Sequence, residues 1–578
     1  MTNIYRNEYP RPVFMRDNWL SLNGEWDFSF DTDKFDRKIN VPFAFESKLS
    51  GLGITEFHHT VWYRRTSMIP LSMRGSRIFL HFGAVDYSCK VWVNEIMVAE
   101  HTGGQTGFCA DITDAVSFDK SNTFVVKAVD DHMDLEMPRG KQFWEDKPRS
   151  IFYTRTTGIW QSVWLEAVPY IHLETVRITP LFDEKAIKFD YKICGGKGTT
   201  MKIQISFESI LVTSVSVQSQ SGKGSLSVSL DQPVLSAWNF YEDLAWSPET
   251  PRLFDVVFNV CNEGQVTDTV SSYFGMRKVS VENNMFMLNN RPYYQKLILD
   301  QGYWPASLMT APSDEAFIKD IELVKAMGFN GVRKHQKVED PRFLYHADRM
   351  GLLVWGEIGS AYLYSDEYAV RMYREWIEAV QRDYNHPCIV AWVPLNESWA
   401  VQEIQKNTLQ QEHCKALFHI TKSLDSSRLV IDNDGWEHIC TDILTIHDYE
   451  SSVAVMRDRY AHLEKILEFL PNGKKLFIGD KQYDNQPIIV SEFGGIRFSQ
   501  DENSDGLWGY SERKTLEEYT DQFRELINAF RCSKYVQGYC YTQLTDIGKE
   551  QNGLLTSDRE PKIPLETVRE INKGDNQA

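Results

Sequence analysis

The sequence predicts a multidomain protein of β plus α/β class: two β-sandwiches followed by a C-terminal (β/α)8 TIM barrel. Three observations carry this. Short apolar or alternating runs with Gly and Asn turns fill residues 1–170. A second set of alternating runs fills residues 171–277. From 278 to 578 the period changes, and eight strand candidates are separated mostly by helices. Strands that alternate at period two bury one face against a second sheet. Eight β/α units over roughly 300 residues are what a closed barrel needs. An open doubly wound sheet is the alternative, but no G-x-G-x-x-G or Walker A sequence supports it.

In the first segment, residues 76–82 (SRIFLHF), 90–93 (KVWV), 96–99 (IMVA), 124–129 (FVVKAV) and 162–167 (SVWLEA) read as strands. Asn94-Glu95 and Gly103-Gly104 punctuate them. In the second, residues 175–178, 186–193, 201–207, 225–230 and 252–260 are strand candidates. A turn falls at Gly195-Gly196-Lys197-Gly198, and residues 214–229 are rich in Ser, Gln and Gly. Five or more strands in about 100 residues suggest an immunoglobulin-like sandwich.

In the third segment Ser313 is a candidate N-cap, with Asp314 and Glu315 in the first turn and Gly328 as a C′ stop. Further helices are expected at 341–350, along Val370, Tyr373, Ile377, Val380 and Tyr384, and at 409–423, 455–469 and 516–530. The strands are expected at 293–299, 329–333, 352–355, 388–393, 429–431, 443–446, 488–490 and 535–541.

Composition narrows the function. The 578 residues include 62 Lys plus Arg against 80 Asp plus Glu, a net charge of −18. That charge repels phosphate, so neither nucleic acid nor an anionic membrane is an expected partner. No apolar run approaches the roughly 18–20 residues that span a bilayer. The N-terminus lacks an apolar signal region, so a cytoplasmic location is the default expectation. Nine cysteines, widely spaced and without C-x-x-C, predict reduced, mostly buried thiols rather than disulfides or zinc. No cofactor or metal is expected.

A barrel carries its site at the C-terminal ends of its strands. There stand Asp300, Arg333-Lys334-His335-Gln336-Lys337, Gly356-Glu357, Asn396-Glu397-Ser398-Trp399, Asp432-Asn433-Asp434-Gly435-Trp436, His447-Asp448-Tyr449, Ser491-Glu492-Phe493-Gly494-Gly495 and Tyr541-Thr542-Gln543. Glu397 and Glu492 follow apolar runs on the fourth and seventh strands. Two carboxylates about 5–5.5 Å apart are what a retaining glycosidase needs. A Glu357–Glu397 pairing stays open on spacing alone.

Motifs along nearly the whole chain add a resemblance. Leu22-Asn23-Gly24-Glu25-Trp26-Asp27-Phe28, Trp62-Tyr63-Arg64-Arg65, Val91-Trp92-Val93-Asn94, Gly158-Ile159-Trp160-Gln161 and Tyr273-Phe274-Gly275-Met276-Arg277 occur in that order. With the strand-end motifs, the chain resembles glycoside hydrolase family 2, which includes β-galactosidases, β-glucuronidases and β-mannosidases. The resemblance implies that residues 1–170 form a jelly-roll sugar-binding domain, residues 171–277 an immunoglobulin-like domain and residues 278–578 the catalytic barrel. It implies Glu397 as general acid/base and Glu492 as nucleophile. It also implies that Asn396 hydrogen-bonds the sugar 2-hydroxyl, that Tyr449 lies near the nucleophile, and that the protein is a homo-oligomer with a carbohydrate substrate.

Four departures from the family pattern stand out. The usual Arg-x-Ser-His reads Arg333-Lys334-His335-Gln336. The Asn-x-Lys that holds the substrate carboxylate in family β-glucuronidases reads Gln551-Asn552-Gly553, without Lys, although Lys337 is a candidate substitute cation. The Glu-x-His of a magnesium site reads Glu357-Ile358-Gly359. The strand-eight Trp is assigned to Tyr541.

Other residues have two readings each. Arg333 either orients Glu492 or makes a structural ion pair. His447 contacts sugar hydroxyls or a neighbouring strand. Trp399 and Trp436 stack on sugar faces or pack under loops. Asp300 binds the terminal sugar or caps a loop. The loop at 137–144 reaches the barrel mouth or stays a solvated surface loop, the latter being the default. Glu397 is expected to be held protonated by the neighbouring charge of Glu492. The expected function is a retaining exo-glycosidase, foremost a β-galactosidase. β-Glucuronidase, β-galacturonidase, α-L-arabinopyranosidase and β-mannosidase are alternatives, and an inactive carbohydrate-binding protein is the alternative of another class.

Overall fold

The computed structural model describes residues 5–195, 198–498 and 506–574. The turn expected across residues 195–198 includes Gly196 and Lys197, which lie outside the described residues.

The first sandwich packs a six-stranded antiparallel sheet against a four-stranded one. The order is Arg37–Val41, Gly24–Phe30, Thr60–Ser67, Asn122–Val129, Ser88–Val93, Ile96–Thr102 in the larger sheet. Alternation explains it: Asn122–Val129 buries Asn122, Phe124, Val126 and Ala128 and turns the residues between them outward. Trp26, Phe28, Tyr63, Leu80 and Val91 fill the space between the sheets.

The second sandwich faces a three-stranded sheet onto a four-stranded one. One of its strands, Ile210–Ser219, was not expected from the sequence. It is an edge strand whose outward positions are mostly polar, so it lacks the apolar signature of a buried strand. Trp246 Nε1 donates to Asp348 O at 2.7 Å, and Arg277 donates to Pro387 O and Ile389 O, tying this domain to the barrel.

The barrel strands are Gln295–Asp300, Gly331–Lys334, Leu353–Glu357, Ile389–Val393, Leu429–Val430, Leu444–Asp448, Ile488–Gly494 and Val536–Thr542. They form one parallel eight-stranded sheet in the order five-four-three-two-one-eight-seven-six. The segment that follows strand five is linked to strand six by His447 N–H to Gly435 O at 3.4 Å. The helix Asp314–Ala326 begins after Ser313 as expected, but the Ser313 hydroxyl makes no capping bond. The single helix expected at 455–469 is two, Val453–Tyr460 and Leu463–Glu468.

No described helix is long and apolar enough to cross a membrane. The nine cysteines are unpaired; Cys89, Cys388, Cys414 and Cys540 are buried, whereas Cys109 and Cys532 are exposed.

Candidate active site

Arg333 organises the site from inside the barrel. Its side chain is fully buried, and its donors radiate to four acceptors. Nε donates to Glu357 Oε2 at 2.8 Å, and Nη2 to Asn396 Oδ1 at 2.6 Å. Nη1 lies 2.6 Å from Asp434 Oδ2 and 2.7 Å from Glu492 Oε1. A guanidinium stays charged and presents its donors as a rigid fork, so it can fix several carboxylates at once. Arg333 therefore orients Glu492 and compensates its charge.

Glu492 sits near the end of the seventh strand. Its second oxygen, Oε2, accepts from the Tyr449 hydroxyl. Tyr449 in turn lies 3.1 Å from Thr542 Oγ1, and its ring lies flat against Tyr510.

Glu397 follows the fourth strand in a left-handed conformation, with φ +51°, and Ser398 is at φ +59°. Left-handed non-glycine residues are strained and persist where the surroundings over-determine them. Here Glu397 N–H donates to Asp434 O and Ser398 N–H to Asn433 Oδ1, each at 2.9 Å. The turn aims Glu397 across the barrel. One ligand atom each from Glu397, His447 and Glu492 lie within 4.8 Å of one another. The Glu397 side chain is 18% exposed and that of Glu492 5%, so the acid/base candidate stands nearer the opening.

His447 joins the two carboxylates. Its Nδ1 lies 2.7 Å from Glu397 Oε1 and its Nε2 2.9 Å from Asp434 Oδ2, with Glu492 Oε1 at 3.6 Å. Both ring nitrogens face carboxyl groups, an arrangement that favours the imidazolium as a double donor. Burial works against that charge, but Glu492, Asp434 and the bond to Glu397 raise the pKa to about 10. Burial also pushes Glu397 up, yet the His447 bond and charge prevail and hold its carboxyl below the ordinary range. Both shifts favour imidazolium beside carboxylate. The expected influence of Glu492 on Glu397 is thus opposed by a cation, His447, 2.7 Å away.

The remaining expected residues divide. Asn396 uses its oxygen on Arg333, leaving its amide NH2 without a hydrogen-bond partner among the described residues. Trp436 packs edge-on to His447, 5.5 Å between ring centroids. Trp399 lines the mouth beside Tyr362 and Phe152. Asp300 is engaged locally: Oδ2 meets Lys334 Nζ at 2.6 Å, and Oδ1 accepts from Gly302 N–H. Tyr541 faces the helical layer, against Phe523 and Phe493. The side chain that the eighth strand sends to the site is Thr542.

Gln336 Oε1 accepts from Ser360 N–H at 2.6 Å. Lys337 Nζ is occupied by Gly302 O, Met309 O and Glu339. The loop at 137–144 is not a solvated surface loop: Met137, Lys141 and Phe143 are buried, and the loop packs on the barrel mouth.

Asp434, Tyr510, Thr542 and Lys141 were not singled out from the sequence, and Glu357 was named only as an alternative carboxylate. Asp434 and Glu357 did carry a signal, their place at strand ends. Among the described residues, two clusters offer a metal three ligand atoms: Glu397–His447–Glu492, and His59–Asp131–His132 on the first sandwich. In the former, both imidazole nitrogens are engaged by carboxylates. Glu357, at the end of the third strand, is occupied by Arg333 and by Gln336 N–H.

Two close carboxylates across a barrel mouth, one backed by a cation and a tyrosine, define a retaining glycosidase. Comparison with known proteins places it. Residues 24–169 match the sugar binding domain of the glycosyl hydrolases family 2, residues 279–574 its TIM barrel domain, and residues 171–277 a further model described as glycosyl hydrolases family 2. The chain belongs to glycoside hydrolase family 2.

A β-galactosidase of Thermoanaerobacter pseudethanolicus is 26% identical over 82% of this chain and 62% of its own length. A β-glucuronidase of Felis catus is 24% identical over 97% of this chain and 91% of its own. Among solved structures, the β-D-glucuronidase of Dictyoglomus thermophilum superposes with a TM-score of 0.79 at 20% identity, covering 98% of this chain and 99% of that one. A β-glucuronidase of Ruminococcus gnavus gives 0.77 at 18% identity, over 98% and 100%.

Proposed function

We propose that this glycoside hydrolase is an exo-acting β-uronidase, with terminal β-D-glucuronides as its first substrates. The observation that carries the chemistry is the placement of Glu397 and Glu492 oxygens within 4.8 Å. An inverting pair stands about 6.5–9.5 Å apart to admit a water, so this pair suits double displacement.

In the first step Glu492 Oε1 or Oε2 attacks the anomeric carbon, and the glycosidic bond breaks. Attack removes the charge of Glu492, one of the anions that sustain the His447 imidazolium. The proton between His447 Nδ1 and Glu397 then moves toward Glu397, which delivers it to the leaving oxygen. In the second step Glu397 takes a proton from water, and the hydroxide displaces Glu492 with the β configuration restored. Asn396 is free to donate its amide to the sugar 2-hydroxyl.

The uronide preference departs from the β-galactosidase expected from the missing Asn-x-Lys. It is supported by the relatives: the Felis catus β-glucuronidase aligns over nearly the whole chain, the β-galactosidase over a smaller share of both proteins. An inactive carbohydrate-binding role would need neither carboxylate nor the network that aims them.

A panel of p-nitrophenyl glycosides tests the reading: β-glucuronide, β-galacturonide, β-galactoside, α-L-arabinopyranoside, β-mannoside and β-glucoside. The β-glucuronide is expected to give the highest kcat/KM, with turnover lost in Glu492→Gln. Highest turnover of the β-galactoside would restore the galactosidase reading.

A further inference from the structure

The loop at 137–144 leaves the first sandwich and delivers one side chain, Lys141, into the barrel mouth. Its backbone is held on both sides of that residue. Gly140 N–H donates to Ser360 O at 3.0 Å, and Gly140 O accepts from the Tyr362 hydroxyl. Gly140 has φ +63°, and a Cβ there would meet Gln336 O at 2.2 Å, so only glycine lets the loop lie this close. Beyond it, Tyr153 N–H donates to Lys141 O at 2.9 Å, and Gln142 Nε2 donates to Asp86 Oδ2 at 2.8 Å.

Lys141 is 7% exposed. Its ammonium stands 5.2 Å from the ring centroid of Trp399, two positions after Glu397. Its charge acts on Glu397, Glu550 and His335. Yet it makes no ion pair or hydrogen bond with a described residue. An ammonium at the end of a largely buried side chain, open only to the mouth and without an anion, is placed to receive one from a ligand.

The other buried lysines near the mouth are paired. Lys334 bridges Asp300 and Glu339, each at 2.6 Å. Lys337 is tied to Glu339. Lys141 thus brings to the mouth an ammonium that has no ion-pair partner among the described residues. Glu550 shares this corner, but its oxygens already accept from Tyr153 and Asn552, and burial pushes its carboxyl up toward the neutral form.

We infer that Lys141, carried by the N-terminal sandwich, receives the C6 carboxylate of the substrate's terminal sugar; this rests on the uronidase reading above. A uronate supplies the missing anion through a charge-assisted hydrogen bond, whereas a neutral hexose offers only a hydroxyl. The first sandwich then contributes directly to sugar selection.

Kinetics on p-nitrophenyl β-D-glucuronide test this with wild type, Lys141→Met and Lys141→Arg, each checked for an unchanged melting temperature. Inhibition by free D-glucuronate and D-glucose is measured alongside. Loss of a charged hydrogen bond predicts that Lys141→Met raises KM by about 10–100-fold, with a smaller effect on kcat. Glucuronate inhibition weakens far more than glucose inhibition, and Lys141→Arg recovers most of the wild-type KM. A KM within about twofold of wild type, or a fall in kcat at constant KM, overturns the assignment. If Lys141→Met melts lower, the Lys141→Arg enzyme and the ratio of the two inhibition constants decide. No uronide turnover by the wild type overturns the uronidase reading itself, a result separate from any property of the variants.

Discussion

His447 Nδ1 lies 2.7 Å from Glu397 Oε1, and the same ring's Nε2 lies 2.9 Å from Asp434 Oδ2. In the proposed mechanism the general acid, Glu397, therefore shares its proton with a histidine that three carboxylates favour in its charged form. The acid is a pair, and its behaviour with pH should be that of a pair.

Replacing His447 with Asn leaves Glu397 to hold the proton alone. The shared proton is retained up to about pH 10, because the imidazolium is raised that far. A lone carboxyl gives it up earlier. The alkaline limb of the kcat/KM profile should therefore move to lower pH, and the maximal rate should fall by roughly 100-fold or more. An alkaline limb that stays in place would show that His447 does not share the proton.

Arg333→Met leaves Glu357, Asp434 and Glu492 facing one another without their common cation. Removing one partner of a buried ion pair costs about 3–5 kcal/mol. A large fall in melting temperature is expected together with loss of activity. Adding Glu357→Gln to Arg333→Met should recover part of the stability but not the activity, since Glu492 still lacks its orienting donor.

Gly140→Ala adds a Cβ that would lie 2.2 Å from Gln336 O. The loop must withdraw from the mouth. A stability loss of about 1–3 kcal/mol is expected, with a higher KM. An unchanged KM would mean that the loop does not touch substrate.

Stability should also carry a mark of the contact between sandwich and barrel. Burial pushes Asp86 and Glu375 up to about 8 each, and Asp130 adds to the effect on Asp86. Glu375 lies on a barrel helix and accepts from Gln105 N–H of the sandwich at 3.2 Å. A carboxyl raised in the folded state stabilises fully below its unfolded pKa, about 4. That contribution is lost as pH rises through about 8. Melting temperature should thus fall between these limits, and Glu375→Gln should flatten the fall. Thermal melts across the range check both.

Much of this was legible in the sequence, for physical reasons that particular residues show. Apolar runs such as Ile389–Val393 and Ile488–Gly494 are buried on both faces, so they stand out as barrel strands. Glu397 and Glu492 were visible because each breaks such a run at its catalytic end. Ile210–Ser219 was hidden because an edge strand alternates with serine and glutamine. Tyr541 was misjudged by one residue of parity: the eighth strand continues to Thr542, and side chains alternate, so Tyr541 turns to the helices. Lys141 was out of reach for another reason. Its partners, Trp399 and Glu397, lie in a different domain, and only the folded chain brings a loop of the first sandwich to them.

The most direct test is mass spectrometry of the protein after exposure to a 2-deoxy-2-fluoro-β-D-glucuronyl fluoride. The fluorine at C2 slows the second displacement and lets the glycosyl-enzyme accumulate. The double-displacement mechanism predicts one covalent adduct, on the peptide containing Glu492, and none in Glu492→Gln. An adduct on another residue, or steady release of inverted sugar with no adduct, would contradict it.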